Sequence, residues 1–268
     1  MTIHLREILV HQPESKNDRY PFNIPALVNL HQLEFSSPIT IFVGENGSGK
    51  STLLESIARA ARLVSVGSEE LDRDSSLDAV KPLADGLKLI WNKRTHRGFF
   101  LRAEDFFGFV KRLHSIQAEM QTELKRIDQD YQDRSEYARM LAKTPAISSL
   151  KAVESRYGAD LNAQSHGESF LTLFQSRFVP GGLYLLDEPE AALSPLSQLG
   201  LILMIKEMVQ QDAQIIVATH SPILMAMPEA VLYDFDQNPP VVRSYDELEH
   251  VQLYRSFLND PDDYLNRL

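Results

Sequence analysis

The sequence of 268 residues contains no cysteine. This absence excludes a disulfide framework, a cysteine-ligated metal site and thiol chemistry. The sequence also has no run of about 18 apolar residues, the length that a membrane helix requires. Its longest candidate, LGLILMI, is followed directly by Lys206 and Glu207. The opening residues MTIHLREILVHQPESK lack the apolar core of a secretory signal. We therefore expect a soluble, cytoplasmic protein without a transmembrane segment of its own.

Basic residues are in the minority, with 27 Lys and Arg against 37 Asp and Glu and a formal net charge of −10. Nucleic-acid binding is driven by Lys and Arg that neutralise phosphates. The charge balance therefore argues against a surface broadly covered by nucleic acid. One stretch, WNKRTHRGFF at 91–100, is locally basic. We interpret it as a charged hairpin turn between the strands LKLIW and GFFLRA, with a basic patch as the alternative.

Glycine is concentrated in the stretch FVGENGSGKSTLLESI at 42–57. The spacing Gly44-x4-Gly49-Lys50-Ser51 is the phosphate-binding P-loop pattern. The preceding residues ITIFV predict a buried strand, and the following apolar positions recur with the period of a helix. These apolar positions are Leu53, Leu54, Ile57, Ala58, Ala61 and Val64. The context of strand, loop and helix supports the P-loop assignment over a simple glycine-rich turn.

A loop that ends at a helix N-terminus directs unpaired N–H groups and the positive end of the helix dipole at an anion. Lys50 would supply a mobile cation for the β and γ phosphates, and the Ser51 hydroxyl would be a magnesium ligand. The sequence therefore predicts a nucleotide site. The predicted ATP-binding residues are Gly44, Asn46, Gly47, Ser48, Gly49, Lys50, Ser51 and Thr52.

A second part of the site is predicted in GGLYLLDEPEAALSP at 181–195, where an apolar strand ends in Asp187 and Glu188. The carboxyl end of a buried parallel strand lies at the crevice where α/β sheets bind ligands. Asp187 would hold magnesium, as the equivalent aspartate does in P-loop enzymes. Glu188 would take a proton from the attacking water. Without the P-loop, the same acidic pair would be interpreted as a helix N-cap.

A third part is predicted in AQIIVATHSPIL at 213–224, another apolar strand, which leads into His220. One amphipathic helix separates this strand from the strand that ends at Asp187. Both strands would therefore deliver their last residues to the same crevice. We expect His220 to reach the γ-phosphate or to orient the water; an ordinary loop histidine is the alternative.

The remaining chain predicts an α/β fold with a mainly parallel sheet flanked by helices. The opening is rich in β-structure, and the last third alternates strand and helix. Residues 104–160 are polar and favour helix, interrupted only at Pro145. They predict one or two amphipathic helices that project from the sheet. We expect a single domain over 1–268 with a helical sub-domain at about 104–178.

Taken in order, the motifs resemble those of the ABC-type ATPases, over about 40–235. GENGSGKST is similar to their Walker A motif, LYLLDEPE to Walker B, and ATHSP to the histidine switch. SHGES at 165–169 resembles a degenerate signature motif, with His166 and Glu168 in place of glycine and glutamine. The residues also allow an ordinary helix N-cap here. AALS at 191–194 stands where the D-loop of the family follows.

The resemblance implies ATP and Mg²⁺ as ligands and a head-to-tail homodimer in the ATP state. Ser165, Gly167 and Glu168 would then act in trans on ATP held by the other subunit. The family's magnesium-sensing glutamine has no clear counterpart, and we expect Glu104 in that place. Tyr20 or Phe22 would stack on adenine, unless both belong to the core.

The D-loop position Ser194, where transporter subunits usually carry aspartate, favours the soluble ATPases related to the SMC, RecF and overcoming-lysogenization-defect groups. The expected function is an ATPase that drives a protein partner or a DNA transaction. The alternatives are the nucleotide-binding subunit of a transporter and a slow ATP-sensing module.

Overall fold

The computed structural model describes residues 2–12, 19–66, 75–157 and 166–266. In chain order the strands are β1 (Leu5–Val10), β2 (Gln32–Glu34), β3 (Ile39–Val43), β4 (Val64–Ser65), β5 (Leu87–Trp91), β6 (Gly98–Arg102), β7 (Leu183–Asp187), β8 (Gln214–Ala218), β9 (Val231–Asp234) and β10 (Val241–Arg243). The α-helices are α1 (Pro25–Val28), α2 (Lys50–Ala61), α3 (Lys81–Gly86), α4 (Ala103–Asp130), α5 (Glu136–Tyr157), α6 (His166–Arg177), α7 (Pro195–Gln210), α8 (Pro222–Met225), α9 (Glu249–Asn259) and α10 (Pro261–Leu265). Short 3-10 turns cover Ser75–Val80, Pro189–Ala192 and Tyr245–Glu247.

The larger sheet has seven strands in the order β10-β9-β3-β8-β7-β6-β4. All neighbouring pairs are parallel except β9 and β10, so the sheet is parallel with one antiparallel edge. Every residue of β3, β7 and β8 is buried. Strands buried on both faces carry continuous apolar runs because helices cover both sides of a parallel sheet. The predicted α/β class with a mainly parallel sheet is confirmed.

A smaller antiparallel sheet, in the order β2-β1-β5, forms the N-terminal β part that the sequence predicted. Its apolar face and helix α2 pack on one side of the larger sheet, where Leu185 and Ile216 belong to the same core cluster as Ile8 and Leu53. The alternate residues of β7 and β8 point to the opposite face of the large sheet. There they pack with helices α6 and α7, in the cluster that contains Tyr184, Phe174, Ile205 and Val217.

The expected hairpin between β5 and β6 is wrong. β5 pairs with β1 in the small sheet, whereas β6 lies between β4 and β7 in the large sheet. The basic residues 92–97 therefore connect two sheets. The physical reason lies in burial: Phe99, Phe100 and Leu101 of β6 are all buried and need covers on both faces, while β5 is only partly buried along its length.

The expected break at Pro145 is also wrong, because helix α5 continues through this residue. The interruption falls instead at 131–135, between α4 and α5. A proline inside a helix removes one hydrogen bond to the preceding turn. Contacts with α4 flank this position: Lys143 Nζ lies close to Asp128, and Ile127 and Ala146 are buried. The boundaries of the helical sub-domain stay a prediction.

Within the described ranges, we find no helix whose length and apolar content would let it span a bilayer.

Candidate nucleotide-binding site

Three neighbouring strands deliver the predicted site residues to one edge of the large sheet. The P-loop follows β3, Asp187 is the last residue of β7, and His220 lies two residues after β8. Strand β8 pairs in parallel with both β3 and β7. Because parallel strands end at the same edge, their loops meet in one crevice. The sequence expectation that Asp187 and His220 lie at the same crevice agrees with this topology.

Two positions of the P-loop need glycine because of their backbone angles and because a Cβ would meet neighbouring atoms. Gly49 has a φ of +104° at the start of α2, and a Cβ there would lie 2.7 Å from Ile24 Cγ2. Gly44 has a φ of +145°, and its added Cβ would lie 3.0 Å from Asp236 Oδ1 and from Ser48 Oγ. Side chains rarely adopt these backbone angles, whereas glycine does so without steric cost. The glycine spacing therefore fixes a tight loop ahead of the helix N-terminus.

Lys50, the first residue of α2, is 3% exposed and folds back over the loop. Its Nζ donates hydrogen bonds to the carbonyl oxygens of Gly44 at 2.8 Å and Glu45 at 2.9 Å. Burial lowers the pKa of Lys50, and the nearby carboxylates of Glu188 and Asp236 oppose that shift. The loop thus encloses a cation where a phosphate chain would bind.

The Ser51 hydroxyl donates a hydrogen bond to Asp187 Oδ1 at 2.9 Å. Asp187 is 8% exposed, and burial raises its pKa from 3.8 to about 7, while the hydrogen bond from Ser51 acts in the opposite direction. A hydroxyl and a carboxylate are hard oxygen donors, as Mg²⁺ prefers. The described residues hold no cluster of three acidic, His or Cys side chains that would form an all-protein metal cage. Mg²⁺ needs no such cage, because it binds through one or two protein oxygens together with phosphates and waters.

Glu188 has a φ of +49° and a ψ of 48°, a left-handed conformation that costs energy in a residue other than glycine. Its N–H donates to the carbonyl of Ala218 at 2.9 Å, and its side chain is 45% exposed. His220 Nε2 lies 3.6 Å from Glu188 Oε1. Burial and the charge of Lys50 lower the pKa of His220, which favours the neutral imidazole, while Glu188 acts in the opposite direction. The two side chains together form a polar pair at the open edge of the sheet.

A cavity of about 390 Å³ lies over the P-loop. It is lined by Tyr20, Asn23, Ile24, Pro25, Asn46, Gly47, Gly49, Lys50, Ser51, Thr52 and Glu188. The Tyr20 hydroxyl and Thr52 Oγ1 are 3.1 Å apart and share a hydrogen bond. Phe22 is instead partly buried against the N-terminal core. Of the two predicted adenine-stacking residues, Tyr20 therefore lines the cavity.

Glu104 lies in the first turn of α4 with a side chain that is 77% exposed. Its Oε1 is 3.5 Å from Arg102 Nη1. Arg102 is the strand residue in register with Asp187, and its Nη2 forms a buried ion pair with Glu55 Oε1 at 2.9 Å. The residue beside Asp187 on the neighbouring strand is thus an arginine. The role expected of Glu104 stays a prediction.

The signature-like segment is only partly described. Ser165 lies outside the described residues. Gly167 and Glu168 belong to the first turn of α6, described from His166 onward. Phe170 and Phe174 of this helix are buried in the core. The action of this segment in trans stays a prediction.

Three residues near the site escaped the sequence interpretation. Glu190 accepts a hydrogen bond from the His220 N–H at 2.6 Å. Asp236 Oδ1 accepts one from the Glu45 N–H at 2.8 Å. His250 of α9 places its Nε2 3.5 Å from Glu45 Oε1. Glu190 stands inside the DEPE segment and could have been suspected, whereas Asp236 and His250 carry no motif and are brought in by the fold.

Two family models match separate parts of the chain. One, described as "AAA domain", matches residues 23–61, which contain the P-loop. The other, described as "AAA domain, putative AbiEii toxin, Type IV TA system", matches residues 169–226, which contain Asp187, Glu188 and His220. Both matches cover the strand ends that form the site. In these two segments the chain is similar to AAA domains, and the fold that carries them is α/β with a mainly parallel sheet.

Solved structures similar to this chain include a Smc head domain with an extended coiled coil bound to the C-terminal domain of ScpA, from Pyrococcus furiosus. It is 14% identical, with a TM-score of 0.43, and the match covers 85% of this chain and 95% of that one. An ATP-binding cassette of an ABC transporter in its ADP conformation is 14% identical, with a TM-score of 0.43, and the match covers 97% of this chain and 96% of that one. A nucleotide-free ATP-binding cassette from an ABC transporter is 13% identical, with a TM-score of 0.44, and the match covers 98% of this chain and 99% of that one. The comparison with curated proteins gives no significant match.

Proposed function

We propose that this protein binds MgATP and hydrolyses it to ADP and phosphate. The observation that carries the proposal is the hydrogen bond between Ser51 and Asp187, 2.9 Å long, at the mouth of a P-loop. It joins the two predicted protein ligands of magnesium. The Glu188 and His220 side chains lie beside the same strand ends.

In the proposed reaction, the P-loop N–H groups and Lys50 bind the phosphates of ATP. Ser51 and Asp187 would hold Mg²⁺, which supplies positive charge to the β and γ phosphates. Glu188 accepts the proton of the attacking water while the water oxygen bonds to the γ-phosphorus. The bond to the β–γ bridging oxygen then breaks and ADP leaves. General-base catalysis of this kind contributes about 10²–10⁴ in rate.

His220 would act on the γ-phosphate rather than on the proton. Its neutral imidazole can donate one hydrogen bond, and its Nε2 is buried without a hydrogen-bond partner among the described residues. A buried polar atom of this kind is costly unless a ligand satisfies it. A γ-phosphate oxygen would do so. Tyr20 would contact the adenine base from the wall of the cavity.

We also propose that ATP closes two copies head to tail, with Ser165, Gly167 and Glu168 of one copy acting on the ATP of the other. The residues that line the described cavity include none from α6. Backbone N–H groups at the start of α6 form an anion-binding end. ATP binding and release would then switch the dimer, and the switch would act on a protein partner or on DNA.

The test is the MgATP turnover of the purified protein as a function of its own concentration. If the active species is a dimer, activity per subunit rises with concentration. The Glu188→Gln variant should bind ATP and accumulate as a dimer, measured by light scattering during size-exclusion chromatography. Turnover per subunit that is constant over a hundredfold dilution would contradict dimerisation. Absence of turnover at every concentration would contradict the ATPase proposal.

A further inference from the structure

The carboxylate of Glu190 contacts the backbone of His220 rather than its imidazole. Its Oε1 accepts the His220 N–H at 2.6 Å, across the gap between the ends of β7 and β8. Charge-assisted hydrogen bonds are shorter and stronger than neutral ones. Glu190 therefore fixes the peptide that carries His220.

The His220 N–H needs a side-chain acceptor because the pairing between β7 and β8 ends just before this residue. The last backbone hydrogen bond between the two strands runs from the Glu188 N–H to the Ala218 carbonyl at 2.9 Å. The chain then leaves the sheet through the left-handed Glu188 and enters the 3-10 turn Pro189–Ala192. The sheet thus offers the His220 N–H no further strand carbonyl on this side. The Glu190 side chain takes the place of that acceptor.

The residues next to His220 are fixed from other directions. The Thr219 N–H donates to the Phe42 carbonyl of β3 at 3.1 Å. The Ser221 N–H donates to Thr219 Oγ1 at 3.0 Å, and the Ser221 hydroxyl bonds to Gln198 of α7. Glu190 completes this set on the side of β7. These hydrogen bonds together hold the backbone of His220 relative to β3 and β7.

Glu190 is held in this place at an energetic cost. Burial raises the pKa of its carboxyl, and its Oε2 is buried without a hydrogen-bond partner in the described part of the chain. A buried acidic oxygen without a partner destabilises a folded protein. Leucine or alanine would avoid this cost in a region that served packing alone. The cost is consistent with a role in the reaction.

We propose that Glu190 is a positioning residue for ATP hydrolysis, which acts by holding the His220 backbone so that the imidazole meets the γ-phosphate. This inference rests on the proposed ATPase function. It assigns Glu190 no proton transfer and no contact with ATP. The hydrogen-bond acceptor matters in this role, whereas the negative charge contributes only to its strength.

The kinetic test compares Glu190→Ala with Glu190→Gln. Glu190→Ala should lower kcat by about 10- to 100-fold with ATP affinity unchanged, since a small misplacement of a reacting group costs this much. Glu190→Gln keeps an acceptor oxygen and should stay within about fivefold of wild type. Glu207→Ala, which removes an exposed carboxylate of α7, is the matched control and should keep full activity. Equal loss in the Ala and Gln variants would overturn the positioning role.

A double-mutant cycle with His220→Ala distinguishes action through His220 from a general effect on the fold. If Glu190 works only through His220, the double variant has the same kcat as His220→Ala alone. Multiplied losses would overturn the proposal. Thermal unfolding of each variant identifies any that fails to fold.

A third readout needs no ATP. Hydrogen exchange at the His220 amide, followed by NMR in the nucleotide-free protein, should be at least about tenfold faster in Glu190→Ala than in wild type, because the amide loses its acceptor. The Thr219 amide, which bonds to β3, should be unchanged. An unchanged His220 amide would overturn the inference. If Glu190→Ala speeds exchange at the His220 amide but the wild-type protein shows no ATP turnover, the ATPase proposal is overturned. The contact between Glu190 and the His220 backbone is then established by the exchange data alone.

Discussion

The Ser51 hydroxyl and the Asp187 carboxylate, 136 residues apart in the chain, are joined by a hydrogen bond of 2.9 Å. Ser51 belongs to the helix that follows β3, and Asp187 ends β7, two strands away in the sheet. Their contact shows that the two predicted halves of the nucleotide site face each other. Under the proposed function, Mg²⁺ would bind between these two oxygen ligands.

Lys50→Ala should weaken ATP binding by at least about 100-fold, because the phosphates lose a buried cation and its charge-assisted hydrogen bonds. Isothermal titration calorimetry with ATP measures the change. Lys206→Ala, which removes an exposed lysine of α7, is the control and should bind as the wild type does. Normal ATP affinity in Lys50→Ala would contradict the P-loop assignment.

Asp187 predicts a pH dependence of stability in the metal-free protein. Burial raises its folded-state pKa from 3.8 to about 7. Well below pH 3.8 the carboxyl is neutral in both states, and the stability it contributes to the folded state is fully present. As pH rises toward 7 the unfolded chain ionises first, so the folded state loses stability relative to it, and the loss is complete above pH 7.

Asp187→Asn removes this titration. The free energy of unfolding of the variant, relative to wild type, should therefore rise by about 2–3 kcal/mol between pH 5 and pH 8. Urea unfolding in EDTA at the two pH values measures the difference. Asp262→Asn, at an exposed position in α10, should show no such trend. A pH-independent difference for Asp187→Asn would show that the carboxyl titrates normally.

Ser165→Arg should leave ATP binding intact and abolish both dimerisation and turnover, since a bulky cation would block the surface that closes on the other subunit. Light scattering in the Glu188→Gln background, with and without ATP, gives the oligomeric state. Gln175→Arg places the same charge on an exposed position of α6 and should still dimerise. Unchanged turnover in Ser165→Arg would remove the signature assignment.

Tyr20→Ala should weaken ATP binding by about 5- to 160-fold, because stacking of a base on an aromatic ring contributes roughly 1–3 kcal/mol. Tyr20→Phe keeps the ring and should bind nearly as wild type. Inorganic triphosphate, which has no base, should bind equally to all three proteins. A loss of triphosphate affinity in Tyr20→Ala would indicate that the residue acts on the P-loop, through its hydrogen bond to Thr52.

The corrections to the sequence interpretation have a common cause. The hairpin between β5 and β6 looked plausible because both segments are short strands joined by a polar turn. Which sheet each strand joins depends on what covers its two faces, and the covering helices come from distant parts of the chain. Pro145 likewise predicts a break from local geometry, whereas α5 is continuous and packs along α4.

The P-loop, the acidic pair at the end of β7 and the histidine after β8 were determined by the sequence alone. Each depends on local rules: glycine for positive φ, a buried apolar run for a strand, a polar residue at its carboxyl end. The tertiary structure decided which residues surround them. Arg102 beside Asp187, Asp236 at the Glu45 N–H and Glu190 at the His220 N–H depend on the order of strands in the sheet. That order is set by packing between segments far apart in the chain, and short-range patterns do not encode it.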